Sequence, residues 1–382
     1  MAARPTARRG LAVLLLAACG PTGEAPAQGP GGRPAKATAM RPDRAPPERP
    51  ARTGPRTDDD PCENVRIERS EHLAGAAQQA GKAENDWDPS FEGGPATRAE
   101  LSEPYFAVQD AAGRVYVADK YAHAVRRIDP DGTIHTHAGT NAPGDGPDAP
   151  TPPRSVALQR PNGLFLTPDG ALFVLDLDNA KVRRVAPDGA AMETVLRADT
   201  DFGKGRGLWV RGDTIFVAAG TRLVSGRPGG PATTAWDGFV SLGNLLGEPD
   251  GALLAADRGG DRVVRLVPGE PPRPFFGGGA TDATEAAPTP ATEIRTDGPR
   301  SVVRLAPGLH LVAEHEGGRI FCVAAGRARP IFDRARAPYP FEHEGPPIGA
   351  MRGLARAPDG TLLLVHADAG AVHRLHLAGV PR

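Results

Sequence analysis

Three arginines of this chain stand at matching places, about eight residues before a glycine-bearing turn. Arg206, Arg300 and Arg352 occupy these places in the stretches GRGLWV, GPRSVV and AMRGLA, and Tyr105 and Asn162 occupy the corresponding place in two further stretches. The planar guanidinium fork binds carboxylate and phosphate groups well, and a phenol adds a neutral donor. If the fold gathers these side chains around one axis, we expect them to bind an anionic ligand.

The arginines also have a structural interpretation. Like charges that are brought together cost energy unless negative groups balance them. Each arginine could instead pair with an acidic residue in a nearby turn, such as Asp119, Asp257 or Glu314, or stack between neighbouring elements. The sequence leaves both interpretations open.

A second set of residues could bind a metal ion. Glu314 and His315 lie in one Glu-His-Glu triplet, His343 lies in another, and His366 opens a later turn. Carboxylate and imidazole groups are ligands for zinc and other divalent ions. The spacing matches no established finger or protease motif, and the same residues could be solvated loop charges. We therefore expect no organic cofactor. Whether these residues bind a divalent metal ion stays open.

The elements that must position these residues recur six times. Each repeat has an apolar strand, a glycine turn, a second apolar strand, an acidic turn, a third strand and another glycine turn. The first turns lie at 110–113, 168–170, 211–213, 249–251, 306–308 and 358–360. The middle turns open with Asp119, Asp176, Asp257, Glu314 and His366, whereas the third repeat has Ala219 instead. Four short antiparallel strands per repeat describe a propeller blade, so we predict an all-β, six-bladed β-propeller over residues 62–382.

The repeat resembles the NHL repeat. The resemblance is best in 104–139 and 161–196, where an acidic residue closes a strand and VRRI or VRRV begins the next strand. Similar six-bladed propellers include gluconolactonases and the peptidyl-amidating lyase, so the resemblance also implies a metal-dependent site at the channel mouth as an alternative. The third blade departs from the pattern in its middle turn, which puts the geometry of its edge in doubt.

An N-terminal segment is expected to close the ring. The sixth repeat has no outer strand of its own, and an uncovered edge needs a partner. Residues 65–75 end in HLAG, much as the outer strand of the first blade ends in THAG, so we predict that they pair with the last blade. Cys62 precedes this segment and Cys322 lies in the fifth blade. We predict a disulfide between them, with two free thiols as the alternative.

The N-terminus has the features of an export signal. Arginines precede the short apolar run 11–18, which ends in Leu-Ala-Ala-Cys and looks like a bacterial lipobox. The resemblance implies that residues 1–18 are removed and that Cys19 is lipidated. Gly20 then implies sorting to the outer membrane under the enterobacterial rule.

Residues 19–61 are rich in Pro, Ala, Gly and Arg, and we expect them to form a disordered tether. The formal net charge of −1 gives no basic surface for nucleic acid. We therefore expect an exported, lipid-anchored envelope protein with a monomeric propeller, whose partners are the membrane and a ligand. Its loop-rich face, where the longest loops emerge, is expected to bind a protein, peptide or polysaccharide. The alternative is a metal-dependent hydrolase or lyase.

Overall fold

The computed structural model describes residues 60–76, 84–199 and 201–381. The expected signal peptide, Cys19 and the tether up to residue 59 lie outside the described residues. In the described part, no helix is both long and apolar enough to cross a membrane.

The chain is all-β and forms six blades, as predicted. Each blade has an inner, a second, a third and an outer strand in antiparallel order.
Blade 1 consists of Pro104–Gln109, Val115–Asp119, Ala124–Ile128 and Ile134–Ala138. Blade 2 consists of Pro161–Leu166, Leu172–Asp176, Lys181–Val185 and Met192–Arg197. Blade 3 consists of Leu208–Arg211, Thr214–Ala219, Arg222–Gly226 and Thr233–Trp236.

Blade 4 consists of Leu242–Gly247, Leu253–Asp257, Arg262–Leu266 and Arg273–Gly277. Blade 5 consists of Pro299–Ala306, Leu309–Glu314, Arg319–Ala324 and Arg327–Asp333. Blade 6 consists of Met351–Arg356, Leu362–His366, Ala371–Ala378 and, as its outer strand, Arg66–Ala74. Two-residue strands at Thr289–Pro290 and Glu342–His343 extend the sheets of blades 5 and 6. Short 3-10 helices lie at Pro89–Phe91, Ala96–Arg98, Pro153–Ser155, Leu177–Asn179, Arg258–Gly260 and Ala291–Glu293.

The second strands are apolar on both faces because each blade is packed between two others. In blade 1, Val117 belongs to an apolar cluster shared with Val365 of blade 6. The next residue, Ala118, belongs to a cluster shared with Val174 of blade 2. Successive side chains of a strand point to opposite faces, so this alternation joins each blade to its two neighbours.

The ring closes as the sequence predicts. The N-terminal strand Arg66–Ala74, called here the closing strand, pairs antiparallel with Ala371–Ala378, so that Ser70 lies opposite Leu375. A disulfide joins Cys62, just before this strand, to Cys322 of blade 5, with the two Cα atoms 5.6 Å apart. The closing segment is therefore joined to blade 6 by hydrogen bonds and to blade 5 by a covalent bond.

Candidate functional site

Six equivalent positions surround the mouth of the central channel. In every blade, an inner-strand residue pairs with the second strand at the same point. These pairs are Ala107 with Val117, Leu164 with Val174, Leu208 with Val217, Leu245 with Ala255, Val302 with Val312, and Leu354 with Leu364. Two residues before these inner-strand positions stand Tyr105, Asn162, Arg206, Gly243, Arg300 and Arg352. The side chains singled out in the sequence thus occupy one ring of the propeller.

Tyr105 is the meeting point of the three arginines. Its phenol oxygen accepts hydrogen bonds from Nε of Arg206 at 2.9 Å and from Nη2 of Arg300. The guanidinium carbon of Arg300 lies 4.7 Å from the centre of the Tyr105 ring, and that of Arg352 lies 5.7 Å from it. These residues come from blades 1, 3, 5 and 6, so the contacts cross the channel.

None of the three arginines forms an ion pair within the described residues. Arg206 donates to Oγ of Ser241 at 2.8 Å, and Nε of Arg300 and Nε of Arg352 are buried without any hydrogen-bond partner. Arg300 is only 1% exposed. A buried guanidinium without a negative partner is costly, so this arrangement favours the binding of an anion.

The turn acids are bound elsewhere, so the structure does not support pairing of the mouth arginines with them. The acids pair with basic residues of the next strand in their own blades: Asp119 with Arg126 at 2.8 Å, Asp257 with Arg262 at 3.1 Å, and Glu314 with Arg319 at 2.7 Å.

Burial and mutual repulsion destabilise the positive charges at the mouth. Burial lowers the pKa of Arg300 well below its usual range, and the charge of Arg352 lowers it further. Burial also lowers the pKa values of Arg206 and Arg352. The guanidinium group stays protonated in proteins, so the three charges are not lost on burial. Their burial therefore leaves a positive electrostatic potential at the mouth, which a bound anion would lower.

Two further cations at the mouth were not identified from the sequence. Lys120 lies 5.6 Å from the centre of the Tyr105 ring and pairs with Glu103 at 3.9 Å. Arg258 pairs with Glu316, and burial lowers its pKa, with the charges of Arg206 and Arg352 acting in the same direction. Their places in the repeat could have identified them, because each cation directly follows the acid that opens a middle turn.

Asn162 belongs to the ring but does not contact Tyr105 by hydrogen bonding. Its amide nitrogen donates to the carbonyl oxygen of Gly205 at 2.7 Å, and its Oδ1 atom is buried without a partner. Asn162 therefore offers one free acceptor at the same level of the channel.

The acids of the middle turns have a structural role that reaches beyond their own turns. An aspartate in a turn commonly caps that turn by accepting from its own backbone neighbours. Instead Asp119, Asp176, Asp257 and Glu314 accept a backbone N–H from the residue seventeen positions earlier, in the connection that leads into the inner strand. These hydrogen bonds fix the start of the inner strand, and hence the ring of side chains at the mouth.

The four residues considered as metal ligands do not form one site. Glu314 is bonded to Arg319, and Nδ1 of His315 donates to the carbonyl oxygen of Met351 at 2.9 Å. Burial, then the charges of Arg300 and Arg352, lower the pKa of His315 to about 3. His343 and His366 instead lie beside His373, with ring centres 5.2 and 4.8 Å from it.

No family model matches this chain, and no curated protein matches it. Solved structures are similar to it in fold. A structural genomics protein of unknown function from Bacteroides thetaiotaomicron is 13% identical with a TM-score of 0.63, over 82% of this chain and 76% of that one. An auxiliary nutrient binding protein from Bacteroides ovatus is 12% identical with a TM-score of 0.58, over 82% and 77%. A putative gluconolactonase is 13% identical with a TM-score of 0.53, over 82% and 97%. At these identities the similarity shows the fold alone.

Proposed function

We propose that this protein is a binding protein of the bacterial cell envelope that holds an anionic ligand at the channel mouth. The observation that carries the proposal is the convergence of Arg206, Arg300 and Arg352 on Tyr105 without a carboxylate partner. The ligand chemistry is a carboxylate or phosphate group, presented by a peptide, a polysaccharide or another molecule that enters from the loop-rich face. The propeller is proposed to be of the NHL type.

Lipidation of Cys19 is the proposed means of anchoring, since the sequence before it looks like a lipobox. Stable anchoring by more than one acyl chain would place a small binding domain at the membrane, with residues 20–61 between the lipid and the first described strand. Such an arrangement suits a protein that captures a ligand outside the cytoplasm. The auxiliary nutrient binding protein from Bacteroides ovatus has a similar fold, and this similarity supports a binding role.

The residues at the mouth favour binding over metal-dependent hydrolysis or lysis. A putative gluconolactonase shares the fold, and an enzyme of this kind would need carboxylate and amide oxygens that converge on a cation. The mouth instead presents three guanidinium groups, which repel a divalent cation. Asn162 supplies a single free amide oxygen among them.

Calorimetry on the full chain tests the proposal, with inorganic phosphate and succinate as the two probes. The double variant Arg206→Ala/Arg352→Ala should weaken binding by tenfold or more, because a hydrogen bond to a charged group contributes about 1.5–3 kcal/mol. The double variant Arg66→Ala/Arg273→Ala removes the same charge from the exposed surface and should bind as the wild type does. The proposal fails if neither probe binds the wild type, or if both double variants bind equally well.

A further inference from the structure

Four histidines come together where the closing strand meets blade 6. His72 lies on the closing strand, His343 on the short parallel strand beside it, and His366 and His373 on the second and third strands of blade 6. The ring centre of His373 lies 5.4 Å from that of His72, 5.2 Å from that of His343 and 4.8 Å from that of His366. We call these residues the clasp histidines.

Two of the clasp histidines occupy places that hold an acid and an arginine in other blades. In blade 1, Asp119 and Arg126, seven residues apart, form a fully buried ion pair. In blade 6 the same spacing gives His366 and His373, which are both 0% exposed. Blade 6 therefore contains buried imidazole nitrogens at the place where blade 1 has a salt bridge.

Hydrogen bonds reveal which nitrogens of His72 and His343 carry a proton. Nε2 of His72 lies 3.1 Å from the carbonyl oxygen of Ala74, and Nε2 of His343 lies 2.9 Å from that of Pro346. A carbonyl oxygen only accepts, so both Nε2 atoms must donate, and in neutral rings both Nδ1 atoms present a lone pair. Nδ1 of His343 is buried without a partner.

The other two rings differ from each other. Nδ1 of His366 accepts the backbone N–H of Gly349 at 3.1 Å, so its Nε2 carries the proton and has no lone pair to offer. Nδ1 of His373 is bonded to Oγ of Ser70 at 3.1 Å, and its Nε2 is buried without a partner. With the serine oxygen as acceptor, Nε2 of His373 presents a lone pair.

We propose that His72, His343 and His373 bind a divalent transition-metal ion of the zinc class, through Nδ1, Nδ1 and Nε2 respectively. Imidazole nitrogen is a preferred ligand of such ions, and three protein ligands with one open position form a common site. Two rings bound to one ion at about 2.0–2.1 Å have centres roughly 5 Å apart, and the ring of His373 lies at about this distance from those of His72 and His343. The N–H groups of His72 and His343 already donate to carbonyl oxygens, which is typical of metal-binding histidines.

Binding requires the rings to turn. Among the described residues, no three ligand side chains are already arranged around one point. His72 and His343 are half-buried, so an ion can reach the site from their side. The ion would join the closing strand, the connection between blades 5 and 6, and blade 6 itself.

Cobalt(II) is the probe of choice because its visible absorption reports nitrogen ligands and coordination geometry. The full chain, without an affinity tag, should take up one equivalent of Co²⁺ and develop the bands of a four-coordinate ion. Both signals should be lost in His343→Ala and in His373→Ala. His343 is half-buried, so we expect His343→Ala to disturb the fold less than His373→Ala does. Circular dichroism checks the fold of both variants.

Two controls distinguish ligands from neighbours. His376→Ala changes a histidine of the same strand that bonds Arg69 instead, and should retain the ion. His366→Asn keeps an acceptor for Gly349 and should also retain it, because His366 is not a ligand. The proposal is overturned if the wild type takes up no Co²⁺, or if His343→Ala and His376→Ala bind it alike.

Discussion

The phenol oxygen of Tyr105 accepts a hydrogen bond from Nε of Arg206 at 2.9 Å, although the two residues belong to blades 1 and 3. The same oxygen accepts from Arg300 of blade 5. Tyr105→Phe removes the acceptor for both guanidinium groups, so we expect the free energy of unfolding to fall by about 1.5–3 kcal/mol. Urea unfolding followed by circular dichroism measures the change.

Tyr121→Phe is the matched control for this variant. The Tyr121 hydroxyl lies near the surface cation Arg160 and has a long contact, 3.5 Å, from Nζ of Lys120, but it does not join the mouth arginines. We expect a loss below about 1 kcal/mol there. Equal losses in the two variants would mean that the phenol of Tyr105 does not hold the arginines.

The buried pair of Asp119 and Arg126 gives a second prediction. Asp119→Ala leaves Arg126, which is 0% exposed, without its anion and also removes the acceptor for the backbone N–H of Ser102. We expect a loss of about 3–5 kcal/mol in the free energy of unfolding. Asp131→Ala, in an exposed turn, should cost less than about 1 kcal/mol, and comparable urea midpoints for the two variants would contradict the prediction.

Acid should destabilise the propeller through His137 and His315. Burial lowers the pKa of His137 to about 4 and that of His315 to about 3. Since both folded-state values lie below the unfolded value of about 6.5, the unfolded chain binds more protons. The stabilisation is fully present above pH 6.5 and is lost as the pH falls to about 4 for His137 and about 3 for His315.

Each of these histidines contributes a slope of up to about 1.4 kcal/mol per pH unit. Urea unfolding between pH 7 and 5, with EDTA present, should show stability falling with pH. His137→Gln should reduce that slope, because it removes one of the imidazoles whose pKa burial lowers. An identical slope in the wild type and His137→Gln would refute the assignment.

The disulfide between Cys62 and Cys322 joins two residues that are 260 positions apart in the sequence. In the chain-entropy description, removing it with Cys62→Ala/Cys322→Ala should lower the free energy of unfolding by about 3–5 kcal/mol. Peptide mapping after alkylation of the unfolded, unreduced chain checks the bond itself. Recovery of both cysteines in alkylated form would show that they are free thiols.

The proposed lipidation of Cys19 can be tested in cells. Cells that express the full chain should incorporate labelled palmitate into it, and Cys19→Ala should abolish the label because no acceptor thiol remains at the processing site. Cys62→Ala serves as the control and should keep the label. Persistent labelling of Cys19→Ala would exclude the lipoprotein assignment.

Much of the fold follows from local sequence. The glycine turns and apolar strands recur at fixed spacing, so the blades and the partner of the closing strand can be predicted without coordinates. The ring at the mouth follows as well, because Arg206, Arg300 and Arg352 keep one distance from a turn. The partner of Asp119 does not follow, because a hydrogen bond to a residue seventeen positions earlier depends on how a loop folds back.

The clasp histidines show a different limit. His373 shares one face of its strand with Ala371, Leu375 and Leu377, so strand alternation places it on an apolar face but does not identify what covers that face. In this fold both faces of the second and third strands are covered by neighbouring structure, so His373 is buried. The contact between His373 and His72 depends on where the closing strand pairs. In the sequence, the two histidines are separated by nearly the whole propeller.

The pairing of Arg66 with Ala378 also has a consequence for folding. The closing strand is synthesised before any blade, yet its hydrogen-bonding partner becomes available only after all the others. Contacts between such distant segments form slowly, because a long loop must close first. During that interval the closing strand and the open edge of blade 6 expose unpaired backbone groups, which can recruit strands from other chains. The chain is therefore most vulnerable to aggregation just before the ring closes, and factors that keep the N-terminal segment apart from other chains should raise the yield of folded protein.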